Sequence, residues 1–278
     1  MSRRRSRKDA APGPAARSSA ATLREASASA AVAPQPRTRS QATPARVPAL
    51  DALRGTAIVA MAIYHFCFDL RYFGFLRADL EHDWRWITAR TLILSTFLLV
   101  AGASAVLADR LHAGRTSRRW LVHVAVIAAA AVAVSAGSYL MFPRTWIWFG
   151  VLHAIAVSLL IARPFVRRPA LAAAAGVAIV VAGLAFHNAA FDNRTLGWLG
   201  FMTAKPPTED YVPLFPWTGV LLLGIAVGHH LVRTRFAALA PLSRAPAVLG
   251  SLGRHSLAVY LLHQPILIGA LWLFVQMR

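Results

Sequence analysis

The chain has 278 residues, of which 57% are apolar and 15% charged, against about 45–50% and about 25% in an ordinary soluble domain. That balance excludes a plain soluble enzyme, and a single cysteine, Cys67, excludes an internal disulfide scaffold. The net charge of +19 does not mark a nucleic-acid binder, because the cations fall in short clusters between apolar blocks, as Arg and Lys do beside membrane spans.

Residues 1–47 hold ten basic and two acidic side chains among Ala, Ser and Pro, with Leu23, Val32 and Val47 the only larger aliphatics. Such a segment buries too little apolar surface to offset its ordering entropy, so it reads as a disordered cytoplasmic tail. No apolar stretch follows Arg3-Arg4-Arg5, which argues against a secretory signal. An Arg-rich, acid-poor tail also resembles an organelle transit peptide.

From residue 48 to 278 the chain reads as one all-α, polytopic membrane domain. Seven apolar segments approach the about 20 residues that a spanning helix needs. They fall near 52–72, 88–108, 120–142, 145–163, 169–187, 212–232 and 255–276. Length and separation by Pro, Gly or charge favour helices over the alternating ten-residue strands of a barrel. With the tail inside, the inner side collects 21 basic residues and the outer side eight. This asymmetry predicts a cytoplasmic N-terminus. The outer segments 73–87 and 188–211 carry acids and tryptophans, and the second is long and Pro-rich, as functional loops often are.

Ionisable groups inside spans are costly and mark functional candidates. Arg54 and His65 lie eleven residues apart, which brings them within about 20° of one helix face and about 16 Å apart along it. Asp69 follows His65 by four residues on the same stripe. Counting rise from Arg254, at the inner end of the seventh span, and from Arg144, at the outer end of the fourth, puts His65, His153 and His263 in one central slab. A neutral imidazole there can act as a general base, with Asp69 expected to orient His65. The plainer alternative for each buried histidine is a hydrogen bond to a neighbouring helix. No metal-ligand spacing, Walker loop, dinucleotide fingerprint or GxSxG is present. Cys67, between Phe66 and Phe68, reads as an inert membrane thiol.

The string LDALRGTAIVAMAIYHFCFDLRYFG (Leu50–Gly74) resembles the opening of bacterial members of the heparan-α-glucosaminide N-acetyltransferase catalytic-domain family. FGVLHAIAVSLL (Phe149–Leu160), PWTGVLLLGIAVG (Pro216–Gly228) and LGRHSLAVYLLHQPILIGAL (Leu252–Leu271) continue the likeness in order. The resemblance implies a transmembrane acyltransferase that moves an acetyl group from cytosolic acetyl-CoA to a sugar amine or hydroxyl at the outer face. It carries over Arg54 and His65, with His65 the base or transient acyl acceptor, and matches His153, His255, His263 and Gln264 as supporting polar positions. The phosphates of acyl-CoA are expected near Arg54 and inner arginines such as Arg254. Expected partners are membrane lipid, acyl-CoA and a glycan or amino-sugar acceptor; a homodimer is compatible with the resemblance. The rival expectation is a multi-pass transporter or export component that uses the same buried charges as a substrate or proton path.

Overall fold

The computed structural model describes residues 47–111 and 116–277. The predicted N-terminal tail lies outside the described residues.

Each predicted apolar segment forms a helix. Pro48 opens the first, α1 (Pro48–Tyr72), at a position where its missing N–H leaves no helical bond unmade. The chain returns as α2 (Trp84–Leu111), then α3 (Thr116–Met141) and α4 (Val151–Ala162). Arg163–Phe165 forms a short 3-10 turn that Pro164 helps to set before α5 (Pro169–Ala185). A second 3-10 turn, Ala189–Phe191, and the single-turn α6 (Arg194–Gly197) lie in the long loop ahead of α7 (Leu214–Arg233). A 3-10 segment, Ala237–Arg244, leads to α8 (Ala247–Arg254) and α9 (Ser256–Gln276).

Among the described residues five helices are long and apolar enough to cross a membrane: α1, α2, Arg118–Met141 of α3, α7 and α9. α4 and α5 are apolar but shorter. The fourth segment is shortened because residues 145–150 leave the helix and run beside Tyr211, with a parallel bridge at Phe149. The surface is that of an integral membrane protein. Large apolar side chains such as Val132, Leu140, Ile266 and Trp272 face outward on α3 and α9, where lipid rather than water is the natural neighbour.

α7 runs through the middle of the bundle. Its Leu221, Leu222 and Ile225 are fully buried against Leu98 of α2 and Leu159 of α4. A buried hydrogen bond of 2.8 Å joins Ser158 of α4 to Thr218 of α7. At the α2–α7 seam the backbones touch: a Cβ on Gly102 would lie 2.1 Å from the carbonyl oxygen of Leu221. Small residues at such seams give membrane helices their close packing.

α1 and α9 run parallel, so a contact low on one is matched by a contact low on the other. Gly253, beside Asp51 and Arg54 of α1, marks one end of that pairing. His263 and Gln264, beside His65 and Asp69, mark its upper part. The bundle thus has an Arg-rich end and a loop end. A cavity of about 1330 Å³ lies between α1, α2, α3, α4 and α9 and is lined by residues from both ends.

Candidate active site

Arg54 stands about two turns into α1 and is held on three sides. Its Nη2 donates to Ser104 Oγ at 2.7 Å, and its Nη1 reaches Asp51 Oδ1 at 3.2 Å and the Gly253 carbonyl at 3.4 Å. Gly253 allows this because a Cβ there would stand 1.8 Å from the Asp51 carbonyl oxygen. Close contact of α1 with α8 therefore sets the guanidinium. Arg254, Arg119 and Arg163 line the same end of the cavity. Arg163 also lies over the Trp120 ring, 5.1 Å from its centroid. The nearby acid Asp109 is committed to Arg167, at 2.7 and 3.1 Å, with Arg163 at 3.7 Å. Cations thus outnumber free carboxylates at this mouth, an arrangement suited to phosphate oxygens.

Three turns along α1, His65 meets His263 of α9. The rings stack with an interplanar angle of 15°, and His65 Nδ1 lies 2.6 Å from His263 Nε2. His263 Nδ1 lies 2.6 Å from the Tyr260 carbonyl oxygen. A carbonyl only accepts, so His263 Nδ1 carries the proton. In a neutral ring its Nε2 must then accept, and His65 Nδ1–H donates to it. His65 Nε2 is left with the lone pair. The backbone of α9 therefore sets the tautomer of a histidine on α1.

Asp69 does not orient His65. It lies one turn farther along, where its Oδ1 accepts from Gln264 Nε2 at 2.7 Å. Both side chains on this stripe of α1 face α9, so each finds a partner across the helix pair rather than the other.

The remaining sequence candidates part ways. Arg54, His65, Asp69, Arg254, His263 and Gln264 line the cavity. His153 does not. Its helix begins at Val151, so it lies in the first turn of α4. Its Nδ1 accepts from Gly150 N–H at 3.2 Å, and its Nε2 is 3.3 Å from Ser135 Oγ. It caps α4 and ties it to α3. His255 sits exposed at the α8–α9 junction, its Nδ1 3.0 Å from the Ser251 carbonyl. Sequence reasoning missed Trp120 and Ser104, and it held Arg119 and Arg163 only among the inner arginines without singling them out.

At the loop end, Asp210 Oδ2 accepts the Val151 N–H at 2.8 Å and so closes the start of α4. Burial pushes the Asp210 carboxyl above the usual carboxylate range, opposed by that N–H and by Arg90 and Lys205. Tyr211 donates to the Gly197 carbonyl at 2.6 Å, and burial, then the Asp192 charge, raises its phenol to about 12. Lys205 pairs with Glu81 at 3.3 Å. Among the described residues no group of three His, Cys, Asp or Glu side chains gathers as metal ligands.

The family model described as "Heparan-alpha-glucosaminide N-acetyltransferase, catalytic" matches residues 46–265. The chain belongs to this family. The match spans α1 through the His263–Gln264 pair and covers every cavity-lining candidate. The protein is thus a transmembrane acetyltransferase, and its membership assigns the catalytic rather than the transport class. A comparison with curated proteins found no match, and one with solved structures found none.

Proposed function

We propose that the protein transfers an acetyl group from acetyl-CoA, docked at the Arg-rich end, to an amine or hydroxyl of a sugar that reaches the cavity from the loop end. One observation carries this reading: the His65–His263 pair lies on the wall of a single cavity lined at one end by Arg54, Arg119, Arg163 and Arg254. Acetyl-CoA supplies an acetyl group already activated as a thioester. The arginines bind its phosphates, and the rise from Arg54 to His65, about 16 Å, is spanned by an extended pantetheine arm.

The lone pair on His65 Nε2 does the proton work. The acceptor nitrogen or oxygen bonds to the acetyl carbon as the thioester C–S bond breaks. The acceptor's proton passes to His65 Nε2 and on to the departing thiolate. While His65 is cationic, its Nδ1–H bond to His263 spreads the charge, and the Tyr260 carbonyl holds His263 in place. In a route through acetyl-His65 the same nitrogen carries the acetyl group first. Positioned bases of this kind contribute roughly 10²–10⁴-fold to rate.

The basic clusters favour an orientation with the N-terminus and the Arg-rich end in the cytoplasm, and the likeness of the motifs to bacterial members of the family favours an inner (plasma) membrane. Residues 1–47 then form a cytoplasmic tail, and 48–278 the acyltransferase domain within membrane lipid; a homodimer is compatible with this arrangement. The test is incubation of the purified protein with acetyl-labelled CoA and a panel of amino sugars and neutral sugars. Label should appear in a sugar product. Wild-type protein that moves no label to any acceptor, and releases no free CoA, overturns the reading.

A further inference from the structure

Among the described residues, two buried acceptor atoms in the cavity wall have no donor. Gln264 Nε2 is used by Asp69 Oδ1. That leaves Asp69 Oδ2 and Gln264 Oε1 buried with no hydrogen-bond partner. Asp69 is only 2% exposed, and both residues line the cavity. Buried acceptors left bare are costly and rare, so a pair of them side by side calls for a donor.

Their place along the cavity says which substrate supplies it. From the Arg-rich end the order is Arg54, then His65 with His263, then Asp69 with Gln264. The pair therefore lies beyond the base, on the side from which the acceptor arrives. Other carboxylates on that side are engaged: Asp210 with Val151 N–H, Glu81 with Lys205, Glu209 with the Thr145 hydroxyl.

We propose that Asp69 and Gln264 form the acceptor-selecting subsite of the transfer reaction. The two oxygens admit a group that brings at least two donors, favour a cation such as an ammonium, and repel an anion. This deepens the acetyl-transfer reading and rests on it for the direction of substrate approach. An alternative that needs no ligand is a protonated Asp69 that donates Oδ2–H to Gln264 Oε1, a purely structural clip. Asp69→Asn separates the two. Its amide would donate to Gln264 Oε1 and leave the pair satisfied internally, without charge.

The experiment uses the full chain in detergent. Binding of glucosamine, glucose and glucuronic acid is first followed by thermal shift without acetyl-CoA, so that its outcome does not depend on transfer. Wild-type protein should bind glucosamine at least tenfold more tightly than glucose, with glucuronic acid weakest. Asp69→Asn should bring glucosamine and glucose within about threefold of each other. In the transfer assay it should raise the ratio of acceptor KM to acetyl-CoA KM at least tenfold. Equal binding of the three sugars by wild-type protein overturns the proposal, and this arm needs no variant to fold. So does an Asp69→Asn protein with wild-type selectivity, the result a structural clip gives. Preserved glucosamine selectivity with no transfer to any sugar would instead defeat the acetyl-transfer reading and leave the subsite standing.

Discussion

At one end of the cavity four arginines stand on or just beyond packed helices; at the other, carboxylates hold irregular chain together. The Arg-rich end is built by backbone contact. A Cβ on Gly55 would lie 1.9 Å from the Leu249 carbonyl oxygen, and one on Gly253 would lie 1.8 Å from that of Asp51. Rigid helices there present cations that have few acids to pair with. The loop end is built by side chains acting on backbone N–H groups. Asp79 accepts from Glu81 and His82, Asp192 from Thr203, and Asp210 from Val151. Its charges shape the loops. The lesson is that a residue's charge predicts a role only once its partners are known: the arginines outnumber the acids that pair with them, and the loop acids are occupied by backbone N–H groups.

The comparison can be broken most severely between the two mouths. His65→Ala should lower kcat by roughly 10²–10⁴-fold, alongside a stability loss of about 1–3 kcal/mol from leaving His263 Nε2 without its donor, measured by acetyl transfer and thermal melt. A variant that keeps full turnover removes His65 from the chemistry. Next comes the Arg-rich end. Arg54→Ala removes a charged hydrogen-bonding partner, about 1.5–3 kcal/mol, and should raise the acetyl-CoA KM by roughly 10–100-fold while acceptor KM moves far less. Equal changes in both would deny that this end is specific for the donor.

Gly253→Ala tests whether helix contact sets those cations. The added methyl meets backbone, so it should lower stability by about 1–3 kcal/mol or more and weaken acetyl-CoA binding together with it. A normal melting temperature would show that α8 can move away from α1 freely. The smallest effect belongs to the loop end. The Asp210 carboxyl has a raised value in the fold, so stability from its neutral form is complete below the ordinary carboxylate range. It is lost as pH rises through the raised value. Asp210→Asn should therefore melt higher than wild type at neutral pH, by within about 1 kcal/mol, and the gap should close as pH falls. A gap that widens on acidification would mean the charged form is the favoured cap.

Much of this architecture could be read from the sequence because lipid imposes long apolar runs with charged borders. All seven segments became helices. What stayed hidden were the pieces with no such constraint. Ala237–Arg244 and α8 are too short and polar-flanked to stand out, yet α8 carries the Gly253 contact that sets Arg54. The shared face of Arg54 and His65 followed from helical period alone. The pairing of His65 with His263 joins residues 198 apart, and no local pattern encodes it. Asp69 was matched to the wrong partner for the same reason: i,i+4 spacing puts two side chains on one stripe without saying that both reach across to α9. The start of α4 was placed too early, since the run from residue 145 is apolar enough to look helical but folds as irregular chain that bridges Tyr211 at Phe149, which leaves His153 in the first turn.

The central claim is that one histidine serves a cavity reached from opposite faces of the bilayer. Sealed proteoliposomes test it directly, with acetyl-labelled CoA outside and glucosamine trapped inside. The account predicts labelled N- or O-acetyl sugar in the lumen, dependent on His65, with no acetyl-CoA crossing the membrane. Product that forms only when donor and acceptor share one compartment would contradict it.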